Sequence, residues 1–157
     1  MRYTPENLYS VKSHSFEAIP LPTFRELRNK DYVLFGENNL YPQKLIELFQ
    51  GSAIHHTAIE AKTAAIKGEG FEVYGETEIN GNGESLNDLF AKIALDYTLF
   101  GGFALNIVWA RSGERVAEMY HLPFANVRSG KMNDLDRVEE YFYSSDWSNT
   151  RKYIPSV

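Results

Sequence analysis

The sequence predicts an α+β fold in which two or three helices pack on a small, mostly antiparallel sheet. Apolar residues recur at three- and four-residue steps over residues 85–100, which is the period of an amphipathic helix. The period changes to two over residues 103–109, and the turn "RSGE" separates this segment from a second apolar run, as in a β-hairpin. We therefore expect the long helix to lie over a hairpin near residues 103–121.

The first 41 residues are predicted to form an irregular N-terminal arm or outer layer. Pro5, Pro20 and Pro22 interrupt any long helix there, and residues before a proline favour extended backbone. Residues 42–157 are predicted to form one α+β domain, because a chain of 157 residues can bury one core but is too short for two comfortable domains. The final segment "RKYIPSV" has the pattern of a strand that has just started, so we expect this domain to be truncated at its C-terminus.

Two helices are predicted next. Pro42 suits the first turn of a helix, and Gly51 can end that helix in left-handed geometry. Ser52 is a favourable N-cap for a second helix that extends to about Lys67. Four residues of this second helix share one face at helical spacing, and their small size predicts close approach of another helix: Ile54, Ala58, Ala61 and Ala65.

The long helix is the clearest predicted element. Gly68 and Gly70 end the helix before it, and "FEVYG" at residues 71–75 predicts a short strand. Ser85 then caps the long helix with Asp88 three residues later. The seam between this helix and the hairpin is expected to bury Leu89, Ile93, Tyr97, Leu105 and Ile107.

The hairpin begins after Gly101 and Gly102, and "RVAEMYHL" is predicted to be its second strand. Pro123 breaks that strand. The segments "FANVR" and "VEEYFYSS" predict two further strands around the turn "SGKMNDLD". One face of the hairpin is predicted to carry Phe103, Leu105, Ile107 and Trp109.

The adjacent glycines raise the question of a phosphate site. Gly101 and Gly102 follow a helix and precede a strand, which is the reverse of the order that points helix N-terminal amides at a phosphate. We therefore interpret them as a helix stop. The pairs Gly68/Gly70 and Gly81/Gly83 are too short for a dinucleotide fingerprint, so no cofactor is predicted.

The histidines do not predict a metal site. His55 and His56 are adjacent, so their side chains diverge by about 100° on a helix and cannot easily share one ion. His14 lies in the irregular arm, and His121 precedes "LP" at a strand end. A hydrolase that uses His121 would need a nucleophile, and no serine occupies the sharp strand-to-helix turn that this role requires. We predict that the chain is not an enzyme.

Composition limits the remaining classes. Sixteen basic and 21 acidic residues give a net charge of −5, without the basic stripe of a sequence-reading DNA module. The chain has no cysteine, and no segment approaches the roughly 20 apolar residues of a membrane span. We expect a soluble protein.

Two stretches together resemble the N-terminal wing region of tailed-bacteriophage portal proteins. The first is "YPQKLIELFQGSAIHHTAIEAKTAAIKGEGF", and the second is "LNDLFAKIALDYTLFGGFALNIVWARSGERVAEMYHLPFANVRSGK". In that family a helix ends at a glycine, a strand pair crosses a short charged turn, and an "LP" segment leads into another strand. The resemblance extends over roughly residues 41–143. It implies a structural signature at Gly101, Gly102, Phe103, Leu105, Ile107, Trp109 and Pro123.

The resemblance implies a structural role in a virion, with assembly in the host cytoplasm. Portal subunits form rings, typically of twelve copies, at one capsid vertex. Double-stranded DNA passes through the ring without sequence-specific binding, and the ring contacts the capsid, the packaging terminase and the head-tail connector proteins. The net negative charge fits a conduit, because tight phosphate contacts would stall DNA.

The chain departs from the family in length. Portal proteins are normally several times longer, and their channel-lining elements follow the region that matches here. DNA-contacting residues therefore cannot be carried over to this sequence. Two alternatives stay open: a non-catalytic adaptor domain with an exposed aromatic patch around Tyr141, Phe142 and Trp147, and a small hydrolase that uses His121.

Overall fold

The computed structural model describes residues 22–148, and this part of the chain has the α+β architecture that the sequence predicts. It contains three α-helices and three separate two-stranded antiparallel sheets rather than one small sheet. In chain order the elements are β1 (Phe24–Glu26), β2 (Val33–Phe35), α1 (Tyr41–Gly51), α2 (Ala53–Lys67), α3 (Leu86–Phe100), β3 (Ala104–Trp109), β4 (Val116–Leu122), a 3₁₀ turn (Phe124–Asn126), β5 (Val127–Ser129) and β6 (Tyr141–Tyr143).

The described part of the predicted N-terminal arm is not irregular. Strands β1 and β2 pair as an antiparallel hairpin. Tyr32 and Leu34 are buried together with Phe142 and Trp147, and the Tyr32 and Trp147 rings meet at a centroid distance of 4.9 Å. The segment contributes to the core because its apolar residues reach the C-terminal sheet. Residues 1–21 and the terminal "RKYIPSV" lie outside the described residues, and the division at residue 41 stays a prediction.

Helices α1 and α2 follow the predicted bounds closely, but the break between them differs. Pro42 lies in the first turn of α1, as predicted. Gly51 is the last residue of α1 and does not have the predicted left-handed backbone. The chain turns at Ser52 instead, whose extended backbone ends α1 while its N–H donates to Leu48 O at 3.2 Å. The Ser52 hydroxyl also accepts a hydrogen bond from His55 N–H, so this one residue separates the two helices.

The predicted packing face of α2 is wrong. The four residues assigned to it are exposed, and Ile54 retains 86% of its accessible surface. The opposite side, centred on the buried Ile59, packs against the other helices. Small side chains satisfy a helical period on a solvent face as well as on a packed one, so period alone did not identify the buried side. The exposed residues of the predicted face are Ile54, Ala58, Ala61 and Ala65.

The predicted strand at residues 71–75 is a turn. Asn87 of α3 organises it: its Oδ1 accepts from Phe71 N–H at 2.8 Å, and its own N–H donates to Gly75 O at 2.9 Å. A Cβ on Gly75 would collide with the side-chain amide of Asn87. Val73 and Tyr74 are exposed, so the apolar residues that suggested a strand here lie on the surface.

Helix α3 begins as predicted. The Ser85 hydroxyl accepts from Asp88 N–H at 3.1 Å, and the Asp88 carboxylate accepts from Ser85 N–H at 3.0 Å, which completes a capping box. The Ser85 N–H and then the Ser85 hydroxyl, which lies 2.8 Å from Asp88 Oδ2, lower the pKa of Asp88 by hydrogen bonding to its carboxylate. Just before the helix, hydrogen bonds from Lys92 and then Asn80 lower the pKa of Glu84.

The core-facing side of α3 differs in part from the prediction. Leu89 is buried at 2% exposure, and Ile93 is half-buried. Tyr97 is exposed, against prediction. In the last two turns of α3 the buried residues are Ala94 and Asp96, so Asp96 and not the neighbouring Tyr97 faces the core.

The second hairpin and the region after it largely follow prediction. Strands β3 and β4 are antiparallel, and Pro123 ends β4. The predicted strand "FANVR" starts as the 3₁₀ turn, and only its last residues enter β5, which pairs with β6. No helix within residues 22–148 is long and apolar enough to span a membrane.

Candidate interaction surface at the helix-to-hairpin joint

The two adjacent glycines have different roles at the joint between α3 and β3. Gly101 has left-handed backbone, with φ 79° and ψ 10°, and its N–H closes the helix on Tyr97 O at 2.9 Å. Gly102 has no positive φ, but a Cβ there would lie 3.1 Å from the Phe124 ring. One glycine therefore turns the chain, and the other lets the 3₁₀ turn approach. The helix end that faces this joint presents carbonyl groups, which do not bind phosphate.

Asp96 connects the helix to both sides of the Pro123 break. Its Oδ2 lies 2.8 Å from His121 Nε2 and accepts a hydrogen bond from Phe124 N–H at 3.1 Å. The side chains of Asp96 and His121 are only 11% and 15% exposed. A single buried carboxylate thus holds the end of β4 and the start of the 3₁₀ turn against α3. Asp96 was not among the residues predicted from the sequence, although an acid on the apolar side of an amphipathic helix is a signal for a paired buried carboxylate.

The His121–Asp96 pair provides two members of the kind of set that activates a nucleophile. No hydroxyl group within residues 22–148 hydrogen-bonds to His121, and the pair lies in the packed joint. The serines at residues 13 and 15, and His14, lie outside the described residues. His55 is half-buried beside the N-terminus of α2, and His56 stacks on Phe49 at 4.3 Å.

The described part of the chain also holds no cluster of three or more His, Cys, Asp or Glu side chains with the spacing of a metal site.

The apolar face of the hairpin is largely a surface. Trp109 retains 59% of its accessible surface, Phe103 48% and Ile107 42%, while Leu105 is half-buried. The prediction that Ile107 is buried is therefore wrong. Helix α3 reaches the hairpin through His121 on β4, and within residues 22–148 no helix packs extensively on β3.

A second buried polar residue, Arg128, binds the 3₁₀ turn that follows the hairpin. It is 2% exposed, and no carboxylate in the described chain pairs with it. Its Nε donates to Asn39 Oδ1 at 2.7 Å, its Nη2 to Asn39 O at 2.7 Å, and its Nη1 to Ala125 O at 3.0 Å. Its guanidinium also lies 4.9 Å from the Trp147 ring centroid. Burial lowers the pKa of Arg128 to about 10, so the side chain is charged at neutral pH.

Arg128 therefore links the segment before α1 to the 3₁₀ turn and the C-terminal core. Asn39 is itself 1% exposed and has a left-handed backbone with φ 62°. Its Oδ1 also accepts from Phe35 N–H at 3.0 Å, which brings β2 into the same network. Nothing in the sequence pattern distinguished Arg128 from a solvated arginine, because its partners Asn39 and Gln43 are distant in sequence.

The aromatic patch proposed for an adaptor domain is not a surface. Phe142 and Trp147 are each 3% exposed and belong to the core, and only Tyr141 is exposed. Trp147 Nε1 donates to Asn126 O at 3.0 Å, so its polar atom is also satisfied inside the protein. Exposed large apolar side chains lie instead on the β3–β4 hairpin, among them Ile107 and Trp109.

Comparison with known proteins adds no relative: no family model matches the chain, and neither does any curated protein or solved structure.

Proposed function

We propose that this chain is a structural subunit, or part of a subunit, of a tailed-phage portal ring. The ring forms the DNA conduit at one capsid vertex and contacts the capsid, the packaging terminase and the connector proteins. The role is mechanical, and the chain performs no catalysis in it. The observation that carries the proposal is the ordered succession of a capped helix, a glycine joint, a hairpin and a proline-terminated strand over residues 85–129.

The construction of this succession supports a mechanical role. Asp96 and Arg128 each bind more than one chain segment, and both are buried. Buried polar networks of this kind specify one relative position for the elements they join. A subunit that transmits packing forces between neighbours requires such fixed geometry, whereas the exposed hairpin supplies apolar surface that an assembly can cover.

The charge distribution supports passage of DNA rather than its capture. The net charge of −5 repels a polyphosphate, and a protein that grips DNA does so by neutralising phosphates with many basic side chains. We infer that this part of the subunit lies away from any phosphate-binding surface. DNA then contacts the assembly without reading of its sequence.

The test is the assembly state and location of the gene product that contains this sequence. Negative-stain images and mass photometry of the purified product are expected to show closed rings. Antibody against the chain, visualised on phage heads with gold, is expected to label one vertex per head. Label spread over many vertices, or a product that never exceeds a dimer, would rule out the portal assignment.

A non-catalytic adaptor domain is the second candidate, and the exposed hairpin favours it. Trp109 is a large side chain of the type that anchors protein interfaces, and it is mostly exposed. An adaptor would remain a monomer or small oligomer and would bind one partner through this hairpin. Loss of partner capture in Trp109→Ser, with retained capture in Leu135→Ser on the exposed loop between β5 and β6, would support the adaptor.

A further inference from the structure

Strand β3 has an open edge. It pairs with β4 on one side, and no other strand joins this sheet in residues 22–148. The far side of β4 is occupied, because Met119 N–H donates to Ile79 O at 3.0 Å and Met119 O accepts from Asn80 Nδ2 at 2.9 Å. The far side of β3 has no comparable contact within the described chain.

The hydrogen-bond pattern identifies which β3 residues face the open edge. In an antiparallel ladder, residues alternate between pairs that bond to each other and pairs whose N–H and C=O groups point away. Met119 bonds away from β3, so its partner Ile107 also points away from β4. Pair types alternate from one residue to the next, so the N–H and C=O groups of Leu105, two residues earlier, also point away from β4. The N–H and C=O groups of Leu105 and Ile107 are therefore available to a further strand.

This edge lacks the features that normally prevent pairing. Residues 103–109 contain no charge and no proline. The register shift at Val108 and Trp109 arises on β4, because these two adjacent residues pair with β4 residues that are two apart and leave Ala117 unpaired. A bulge on β4 leaves β3 regular.

The edge is also self-complementary. The sequence Phe-Ala-Leu-Asn-Ile-Val-Trp is approximately symmetric about Asn106, with apolar residues one and two positions away on each side and an aromatic residue three positions away. Antiparallel pairing of a strand with its own copy places residues at equal distances from the centre opposite each other. We propose that β3 pairs with β3 of a second copy of this chain, with Asn106 opposite the partner's Asn106.

This register pairs the outward-facing backbone groups of β3 and covers its exposed aromatic side chains. Leu105 lies opposite the partner's Ile107, so the outward-facing groups form roughly four backbone hydrogen bonds across the two-fold axis. Phe103 lies opposite the partner's Trp109, which covers two side chains that are about half exposed in one copy. The charged turns that carry Arg111 lie at opposite ends of the pair, so the two Arg111 side chains do not repel each other.

The contact is small, so the dimer should be reversible. A single strand on each side buries less than the roughly 1,200 Å² of a standard interface, which is typical of transient association. The inference does not rest on the proposed function. A two-fold contact closes on itself, whereas a ring needs head-to-tail contacts through other surfaces. Failure of the dimer and failure of the ring are therefore separate results.

Disulfide trapping tests the register directly, because the chain has no cysteine. In the proposed pair the two Asn106 residues form a pair without hydrogen bonds, at a Cα separation of about 4.5 Å, which a disulfide can bridge. The matched control is Ala104→Cys, whose two copies would be about 14 Å apart along the strands. Under mild oxidation of the full chain, Asn106→Cys should give a covalent dimer and Ala104→Cys should remain monomeric. Equal cross-linking of both variants, or none in Asn106→Cys, would overturn the proposal.

Sedimentation velocity gives an independent measurement. The average mass of the unmodified chain should rise from 18.0 kDa towards twice that value as concentration increases to about 500 µM. Ile107→Pro removes an outward N–H without removing a β3–β4 hydrogen bond, so it should weaken dimerisation by about tenfold or more. Ile54→Thr, on exposed α2 surface, should dimerise like the unmodified chain. An unmodified chain that stays monomeric throughout would refute the pairing, and if Ile107→Pro alters the circular dichroism spectrum, the cysteine pair decides.

Discussion

Replacement of Arg128 by methionine should destabilise the fold more than any surface substitution. The change leaves Asn39 O, a buried carbonyl whose hydrogen bond comes from Arg128, without a donor, which costs about 1–3 kcal/mol. It also removes the guanidinium from the Trp147 ring, which is worth about 1–2 kcal/mol at a desolvated site. Relief of the desolvation of the buried charge offsets part of this loss. We expect a net loss of roughly 2–4 kcal/mol in the free energy of unfolding.

Urea unfolding followed by circular dichroism measures this loss, and thermal unfolding should show a decrease in Tm of about 10 °C. The matched control is Arg137→Met, because Arg137 is exposed and should tolerate the change within about 0.5 kcal/mol. Arg128→Lys should fall between the two, since one ammonium group cannot reach the Asn39 and Ala125 carbonyls together. If Arg128→Met unfolds at the same urea concentration as Arg137→Met, the network does not hold these segments together.

Three further predictions concern the ends of the helices. Ser85→Ala should cost about 1 kcal/mol in urea unfolding because it removes the capping hydroxyl of α3, and an unchanged midpoint would contradict the role of the capping box. Gly101→Ala should destabilise the fold by about 1 kcal/mol, because the backbone there has φ 79°. Gly51→Ala should stabilise the fold by about 0.5–1 kcal/mol, because Gly51 is helical and a Cβ there would meet open space. Effects of equal sign would refute this contrast. Hydrogen bonds lower the folded-state pKa values of Glu84 and Asp88, so the stability that they contribute is present above the ordinary carboxyl range and decreases as pH falls through the lowered values. Asp88→Asn should weaken the acid dependence of Tm, and an identical pH profile would exclude this cause.

The helix boundaries could be predicted because their signals are local. The capping pair Ser85 and Asp88, the left-handed Gly101 and the proline in α1 each act within one turn of chain. Such features depend on backbone geometry that neighbours in sequence determine. The same local character explains the correct hairpin, where alternation and a charged turn fall within 20 residues.

The identity of the buried faces could not be predicted as well, because burial depends on partners distant in sequence. Tyr97 and Ile107 have the right period for a core, but no element within residues 22–148 buries them. Conversely, Asp96 and Arg128 are polar residues that the packed structure buries with distant partners. A sequence pattern reports the period of a face, and only the tertiary arrangement determines whether that face meets another element.

The position of Asp96 explains why the hairpin combines a rigid base with an exposed edge. Its carboxylate binds His121 on β4 and the backbone of Phe124, so α3 is held over the β4 side of the hairpin. That arrangement leaves Ile107 and Trp109 on β3 exposed, although their alternation is that of a packed strand. If Asp96 fixes the hairpin, Asp96→Ala should loosen the hairpin base and weaken any association through β3 even though no β3 residue has changed. Faster amide exchange at β4 with unaltered dimerisation would show that the edge pairs independently of how the helix holds its base.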